Sequence, residues 1–142
     1  MIAPPDFTTP VRGPSYSIPI RVITTAIVLV VLFSTLRWWE TPATEGWTSQ
    51  GMIVFVATMF GTIGAGVLML RSITEIDADG IRQSGLVTRN VAWGQIASAR
   101  VARWGATRLI VRRDGGPFYS VFHGGTPELR AAFERVAQAS RT

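Results

Sequence analysis

The chain has 142 residues, of which 47% are hydrophobic and only 16% are charged, and its formal net charge is +5. Soluble domains usually carry nearer a quarter of charged residues, so the composition indicates a membrane protein with a small polar domain. The absence of cysteine excludes disulfides and thiolate metal sites. The net positive charge is typical of topogenic arginines, and it also suits contact with anionic headgroups or an acidic partner.

Residues 1–19 contain five prolines and few large apolar side chains. Because proline lacks a backbone donor and fixes φ, this composition predicts an irregular, Pro-rich cytoplasmic leader. The segment does not resemble a signal peptide, since its basic start is weak and the apolar run that follows begins late.

Two apolar runs predict a transmembrane helical hairpin over residues 20–71, with spans at about 20–39 and 52–70. No charged residue occurs from Val22 to Leu36 or from Met52 to Leu70. About 20 apolar residues suffice for the roughly 30 Å of hydrocarbon in a bilayer. Tryptophans and arginines that flank the runs are the predicted interfacial anchors: Trp38, Trp39, Trp47, Arg21 and Arg71.

The distribution of arginine predicts the orientation of this hairpin. Residues 71–142 hold eleven of the fourteen arginines and residues 1–21 hold two, whereas the connection at 40–51 carries Glu40 and Glu45. By the positive-inside rule, both termini are predicted to be cytoplasmic, and the loop at 40–51 is predicted to lie on the opposite side of the membrane.

Small side chains recur every four residues in the second run. Such spacing lets helix backbones approach closely, so we predict a packing face in the bilayer. The partner is either the first run, which gives a tight hairpin, or a helix of another subunit. The face comprises two adjacent stripes: Ala57, Gly61 and Ala65, and Thr58, Thr62 and Gly66.

From Ile73 onward the pattern changes to short alternating segments that predict an antiparallel sheet or small barrel. Asp79-Gly80 and the run Asp114-Gly115-Gly116 are hairpin signals. The predicted strands after "ITEID" are "IRQS", "LVTRNVAW", "IASARVARW", "TRLIVRR" and "PFYSVF".

The C-terminal residues 127–140 predict an amphipathic helix that covers an open face or end of the sheet. Thr126 suits the N-cap and Pro127 the first helical position. One apolar stripe has helical spacing and consists of Leu129, Ala132, Phe133, Val136 and Ala137.

Three stretches of residues 72–142 resemble bacterial pleckstrin-homology-like (PH-like) domains on small membrane proteins: "ITEIDADGIRQ", "VAWGQIASARV" and "RLIVRRDGGPFYSV". The second carries a strand entry in which Trp93 and Ile96 are the expected core positions. The resemblance implies an α+β membrane protein, in which a transmembrane hairpin precedes a small antiparallel β domain closed by the C-terminal helix. It implies no common set of catalytic residues.

The densest basic region is the candidate contact surface, and it contains Arg100, Arg103, Arg108, Arg112 and Arg113. These side chains contact anionic headgroups, contact a partner protein, or are simply solvated. Nucleic acid is not an expected partner, because no recognition module is present and the domain is tethered directly to a bilayer.

Few residues suit catalysis or metal binding. We interpret His123, the only histidine, as a solvent-facing loop residue. Glu75, Asp77 and Asp79 fit a solvated strand face that meets arginines on a neighbouring strand, with a divalent cation site as the weaker alternative. A site that joins His123 to Glu75 or Asp77 is the weakest hypothesis.

The sequence contains no nucleophile–base pair, no paired carboxylates in an apolar setting and no cofactor fingerprint. We therefore predict a non-enzymatic accessory or scaffold protein without catalytic, cofactor or metal sites. Its β domain docks on a partner protein, in a larger complex or a homo-oligomer. The alternative is a protein that binds the anionic lipid surface through its Arg-rich strands.

Overall fold

The structure is a computed structural model that describes residues 6–40, 48–103 and 106–141, without the side chains of residues 39 and 40. It has an α+β fold, as predicted. The elements in chain order are strand β1 (Val11–Pro14), helix α1 (Ile18–Glu40), helix α2 (Ser49–Leu70), strands β2 (Ile73–Ile76), β3 (Gly80–Gln83), β4 (Arg89–Ala92), β5 (Ile96–Ala102), β6 (Arg108–Arg113) and β7 (Tyr119–His123), and helix α3 (Pro127–Ala139).

The seven strands form two antiparallel sheets. The first sheet has the order β1-β2-β3-β4 and the second has the order β5-β6-β7. Helix α3 contacts β1, β5 and β6, so it closes the space between the sheets. The enclosed core includes Trp93 and Ile96 and all five residues of the apolar stripe of α3, as the sequence predicted.

The predicted irregular leader is wrong for Val11–Pro14, which form β1 at the edge of the first sheet. This strand pairs with β2 in a register that joins Val11 to Ile76 and Pro14 to Ile73. Pro14 is tolerated because it lies at the end of an edge strand, where its missing N–H interrupts no ladder. The two long helices are therefore inserted between the first and second strands of the β domain.

The leader also contributes to the core of the β domain. The Phe7 side chain is only 3% exposed and stacks on Trp93 with ring centroids 5.8 Å apart and planes 5° apart. The guanidinium carbon of Arg135 lies 5.3 Å from the centroid of the Phe7 ring. Residues on both sides of the hairpin thus build one hydrophobic core.

Helices α1 and α2 pack side by side, and both are long and apolar enough to cross a membrane, with mean hydropathies of 2.1 and 2.2 over residues 18–38 and 49–70. Gly66 is buried against Val28, and a Cβ at position 66 would lie 2.4 Å from Val28 Cγ2. Farther along, the Trp38 ring stacks on Phe55 at 4.9 Å.

The two predicted small-residue stripes occupy different environments. Gly66 is buried against α1, and Thr62 and Ala65 are partly buried, whereas Ala57, Thr58 and Gly61 are exposed. A Cβ on Gly61 would meet no atom within 4 Å. Burial therefore increases toward the C-terminal end of both stripes, and the closest approach to α1 is at Gly66.

The segment "LVTRNVAW" is a strand only from Arg89 onward, since Gly85 turns the chain with a φ of +136° and residues 86–88 form a loop. Trp93 begins a single 3₁₀ turn. Both predicted hairpins are present, because β2 pairs with β3 and β6 pairs with β7 across the Asp114–Phe118 turn. The first turn lies at Asp77–Asp79, one residue earlier than predicted, since Gly80 is the first residue of β3.

Candidate functional site

A chain of buried hydroxyls joins the two points where the hairpin leaves the β domain. The Ser15 amide donates to the Ser72 carbonyl at 3.0 Å, and the two Oγ atoms lie 2.8 Å apart. Thr74 Oγ1 lies 2.8 Å from Ser15 Oγ and donates to the His123 carbonyl, also at 2.8 Å. Because these groups are buried and hydrogen-bonded to one another, they hold the two ends of the hairpin together at the β domain.

His123 is the last residue of β7 and lies beside this hydroxyl chain, not in a solvent-facing loop as we interpreted it from the sequence. Its ring packs on Tyr16 with centroids 5.0 Å apart, and its amide donates to Gln83 Oε1 at 3.1 Å. Nδ1 is buried and has no hydrogen-bond partner among the described residues. Burial lowers the pKa of His123 below its usual value, and the nearby Arg108 and Arg89 lower it further.

The lowered pKa predicts a stability that depends on pH. Below the unfolded pKa of 6.5 the unfolded chain binds a proton more readily than the folded one, so the free energy of unfolding should fall as the pH drops from 6.5 toward the folded pKa. The variant His123→Phe keeps a ring against Tyr16 and cannot titrate. Thermal unfolding from pH 7.5 to pH 5 should show a smaller loss for the variant, and equal losses would contradict the assignment.

Three arginines line a cleft of about 630 Å³ at the junction of the hairpin and the β domain. Arg12 comes from β1, Arg21 from the first turn of α1 and Arg71 from the C-cap of α2. Leu70 and Ile73 supply apolar lining. No carboxylate of the described residues forms a salt bridge with these three guanidinium groups.

The sequence predicted two of these arginines, Arg21 and Arg71, as interfacial anchors, but it did not predict Arg12. The alternation of Val11, Arg12 and Gly13 is a strand signal, although it is only three residues long. Of the predicted tryptophan anchors, Trp38 stacks on Phe55. Trp47 and the side chain of Trp39 lie outside the described residues.

The five arginines of the densest basic region do not share one surface. Arg103 donates to Glu134 Oε1 of α3 at 2.5 Å. Arg113 Nη2 donates to the Asn90 carbonyl at 2.9 Å. The remaining three, Arg100, Arg108 and Arg112, are exposed and alternate with buried residues on β5 and β6.

These three arginines lie on the outer face of the second sheet, together with partly buried or exposed apolar residues. The register places Arg100 opposite Ile110, which is opposite Val121, and it places Arg112 opposite Tyr119. We call this surface the arginine face, and we define it as Arg100, Arg108, Ile110, Arg112, Phe118, Tyr119 and Val121.

Two aromatic side chains form the exposed edge of the arginine face. Phe118 is 78% exposed and Tyr119 is 58% exposed. None of the seven residues is acidic, so the arginines have no opposite charge within the face itself. A surface of this composition suits an acidic partner that also offers apolar contacts.

Asp77 and Asp79 stabilise the turn between β2 and β3. Asp77 Oδ1 accepts hydrogen bonds from the amides of Asp79 and Gly80, both at 2.9 Å. Arg82, on the neighbouring strand, forms salt bridges with Asp77 at 3.7 Å and with Asp79 at 3.5 Å. The expectation that these carboxylates meet arginine on a neighbouring strand is confirmed for this pair.

The weakest hypothesis, a joint site of His123 with Glu75 or Asp77, has no geometric support. Glu75 lies between its cross-strand neighbours Arg12 and Arg82 on the outer face of the first sheet, without a salt bridge to either, while the adjacent Thr74 is buried and bonds to the His123 carbonyl. Consecutive strand residues point to opposite faces. Across residues 6–40, 48–103 and 106–141, no group of three His, Cys, Asp or Glu residues could hold a metal ion.

Comparisons with protein-family models, with curated proteins and with solved structures found no significant match to this chain. The basis for a functional proposal is therefore the geometry described above.

Proposed function

We propose that this chain is a non-enzymatic accessory or scaffold protein of the bacterial inner membrane, whose β domain docks on a partner protein. The two long apolar helices form its anchor in the bilayer. The arginine distribution favours cytoplasmic termini and a periplasmic loop at 40–51. Partners in the membrane form a larger complex, or a homo-oligomer, around the hairpin.

The β domain is proposed to be PH-like. The resemblance concerned residues 72–142, which provide six strands and the closing helix. The seventh strand comes from residues 11–14, on the other side of the hairpin. A four-stranded and a three-stranded antiparallel sheet closed by one C-terminal helix support this assignment.

The arginine face is the observation that favours docking on a protein. Interface cores are enriched in tyrosine, phenylalanine and arginine, and these residue types supply most binding energy. Here Phe118 and Tyr119 are exposed beside Arg112, and the face lacks carboxylates. Complementary charge would come from an acidic partner surface.

Site-specific photocrosslinking in membranes tests this proposal. A photoreactive phenylalanine analogue at position 118 or 119 should give a discrete protein adduct. The double variant Arg108→Glu/Arg112→Glu should abolish the adduct, because it reverses the charge of the face. Arg130→Glu is the matched control, since Arg130 is exposed on α3 and lies outside the face. The proposal fails if both variants give the same adducts, or if the face gives none.

Binding of anionic lipid is the second candidate, and the cleft at the junction favours it. Arg12, Arg21 and Arg71 converge there from three elements, and the apolar end of α2 adjoins them. Guanidinium groups bind phosphate with two parallel hydrogen bonds. We therefore propose the junction, rather than the Arg-rich strands, as the lipid contact of this second candidate.

Native mass spectrometry of the full chain tests the lipid candidate. Protein released from nanodiscs of mixed phosphatidylcholine and phosphatidylglycerol should retain the anionic lipid preferentially. Arg12→Gln should reduce this preference, whereas Arg141→Gln, at the end of the chain, should not. Equal retention of both lipids by the unaltered protein would exclude the candidate.

A further inference from the structure

The loop at residues 84–88 lies at the end of the first sheet from which the hairpin emerges. Strand β2 leaves the hairpin at Ile73, and β3 returns antiparallel to it, so that Thr74 pairs with Gln83. The Ser84 amide then donates to the Ile73 carbonyl at 2.9 Å. The loop therefore turns on the side of the helices.

Ser72, two residues beyond the end of α2, holds the base of this loop. Its Oγ donates to the Ser84 carbonyl at 2.5 Å. Gly85 packs so closely on Ser72 that a Cβ at position 85 would lie 2.6 Å from Ser72 Cβ. The loop is thus fixed against the chain segment that leaves the hairpin.

The tip of this loop presents two adjacent apolar side chains to the exterior. Leu86 is 58% exposed and Val87 is 52% exposed. Of the large apolar side chains described outside the two long helices, the only others that are exposed are Phe118 and Tyr119 of the arginine face. Exposed Leu and Val at one fixed loop tip favour an apolar environment over water.

We propose that Leu86 and Val87 insert into the cytoplasmic leaflet beside the hairpin and form a second contact of the β domain with the bilayer. This inference rests on the proposed membrane insertion of the hairpin. We assign the bilayer as the surroundings of these two side chains because the loop packs against the segment that follows α2. In that segment, Arg71 follows an uninterrupted apolar run. Arginine at such a position lies at the level of the headgroups, and Ser72 places the loop at the same level.

Insertion of the loop would also determine the orientation of the arginine face relative to the bilayer. The far end of the domain is marked by the Asp77–Asp79 turn, to which Trp93 is hydrogen-bonded through the Asp79 carbonyl. The backbone amide of Asp114, which lies in the turn before Phe118, donates to the carbonyl of Gln95. Phe118 and Tyr119 therefore lie toward the end of the domain away from the hairpin. With the hairpin and the loop both in the bilayer, the end of the arginine face that holds Arg112, Phe118 and Tyr119 is presented to the cytoplasm, whereas Arg108, opposite His123, lies toward the hairpin.

Single-cysteine labelling tests this proposal without background, because the chain contains no cysteine. The variants Leu86→Cys and Val87→Cys receive an environment-sensitive nitrobenzoxadiazole label in the full chain. The labelled chain is reconstituted in vesicles of phosphatidylcholine and phosphatidylglycerol. Phe118→Cys is the control for an exposed apolar position at the far end, and Val30→Cys, in the middle of α1, is the control for insertion of the hairpin.

A blue-shifted emission that shallow doxyl-labelled lipids quench at position 86 or 87, but not at 118, is the expected result. Quenching at position 30 by deep doxyl-labelled lipids, together with a loop signal no larger than that at 118, would overturn the inference and leave the membrane hairpin intact. Absence of quenching at position 30 by these deep lipids would overturn the proposed membrane insertion itself, and the loop contact with it.

Discussion

Residues 72–142 expressed without the preceding segment should not fold into a stable domain. This fragment lacks β1, and it therefore leaves β2 without its edge partner. It also lacks Phe7, which fills the core beside Trp93, and Ser15, which forms hydrogen bonds with the buried hydroxyls of Ser72 and Thr74. Far-UV circular dichroism and amide proton NMR should show a poorly structured chain without a cooperative thermal transition.

The matched control joins residues 6–16 to residues 71–141 through a short Gly-Ser linker in place of α1 and α2. The hydrogen bond from Ser15 to Ser72 places the two ends next to each other. A hairpin loop of about two to five residues therefore suffices to replace α1 and α2. The joined chain should unfold cooperatively. A fragment 72–142 that is as stable as the joined chain would contradict the division of the domain.

The substitution Phe7→Ala should lower the free energy of unfolding of the joined domain by about 3–5 kcal/mol, the usual loss for truncation of a buried phenylalanine. Phe7 lies in the segment predicted to be irregular, yet it is almost fully buried and stacks on Trp93. The change removes this ring and leaves a cavity beneath Arg135. Urea denaturation followed by tryptophan fluorescence measures the difference, and Trp93 provides a local signal.

Phe118→Ala is the control for this prediction, because it removes the same ring from a position that is 78% exposed. Substitutions at such surface positions change stability by only about 0.5 kcal/mol. A loss for Phe7→Ala no greater than that for Phe118→Ala would show that the N-terminal segment does not belong to the core.

Local patterns in the sequence predicted the elements that follow the hairpin. Asp79-Gly80 marks the short connection between β2 and β3, and the spacing of Leu129, Phe133 and Val136 defines one face of a helix. These signals are local, because the residues that produce them are close in sequence. The length and apolar character of the two long helices could also be predicted from the sequence.

The position of β1 could not be predicted in this way, since its partner β2 lies on the other side of the whole hairpin. Five prolines in residues 1–19 indicated an irregular leader, and the proline rule has an exception at edge strands that requires knowledge of the sheet. The buried bond between Ser15 and Thr74 joins residues 59 apart in sequence. No periodicity relates such residues.

The candidate site was predicted only in part for the same reason. The high density of arginine between residues 100 and 113 is evident in the sequence, but the separation of Arg103 and Arg113 from the others depends on contacts with Glu134 and Asn90. The environment of His123 depends on Tyr16, which lies on the other side of the hairpin. The small residues in α2 indicated close packing, but the sequence could not show that the closest approach is between Gly66 and Val28 of α1.

An engineered disulfide between β1 and β2 tests most directly whether the hairpin is inserted into the β domain. Arg12 and Glu75 are direct cross-strand partners, and the chain has no other cysteine to compete. Arg12→Cys with Asn90→Cys is the control, because these residues lie in one row three strands apart, at about 14 Å, beyond the reach of a disulfide.

The full chain is oxidised in membranes and then cleaved at a protease site engineered between α1 and α2. A non-reducing gel shows whether the two fragments remain linked. The structure predicts that the two fragments stay linked in Arg12→Cys/Glu75→Cys and separate in Arg12→Cys/Asn90→Cys. Separation of the fragments in both variants would show that residues 11–14 do not pair with β2, and it would contradict the division of the β domain by the hairpin.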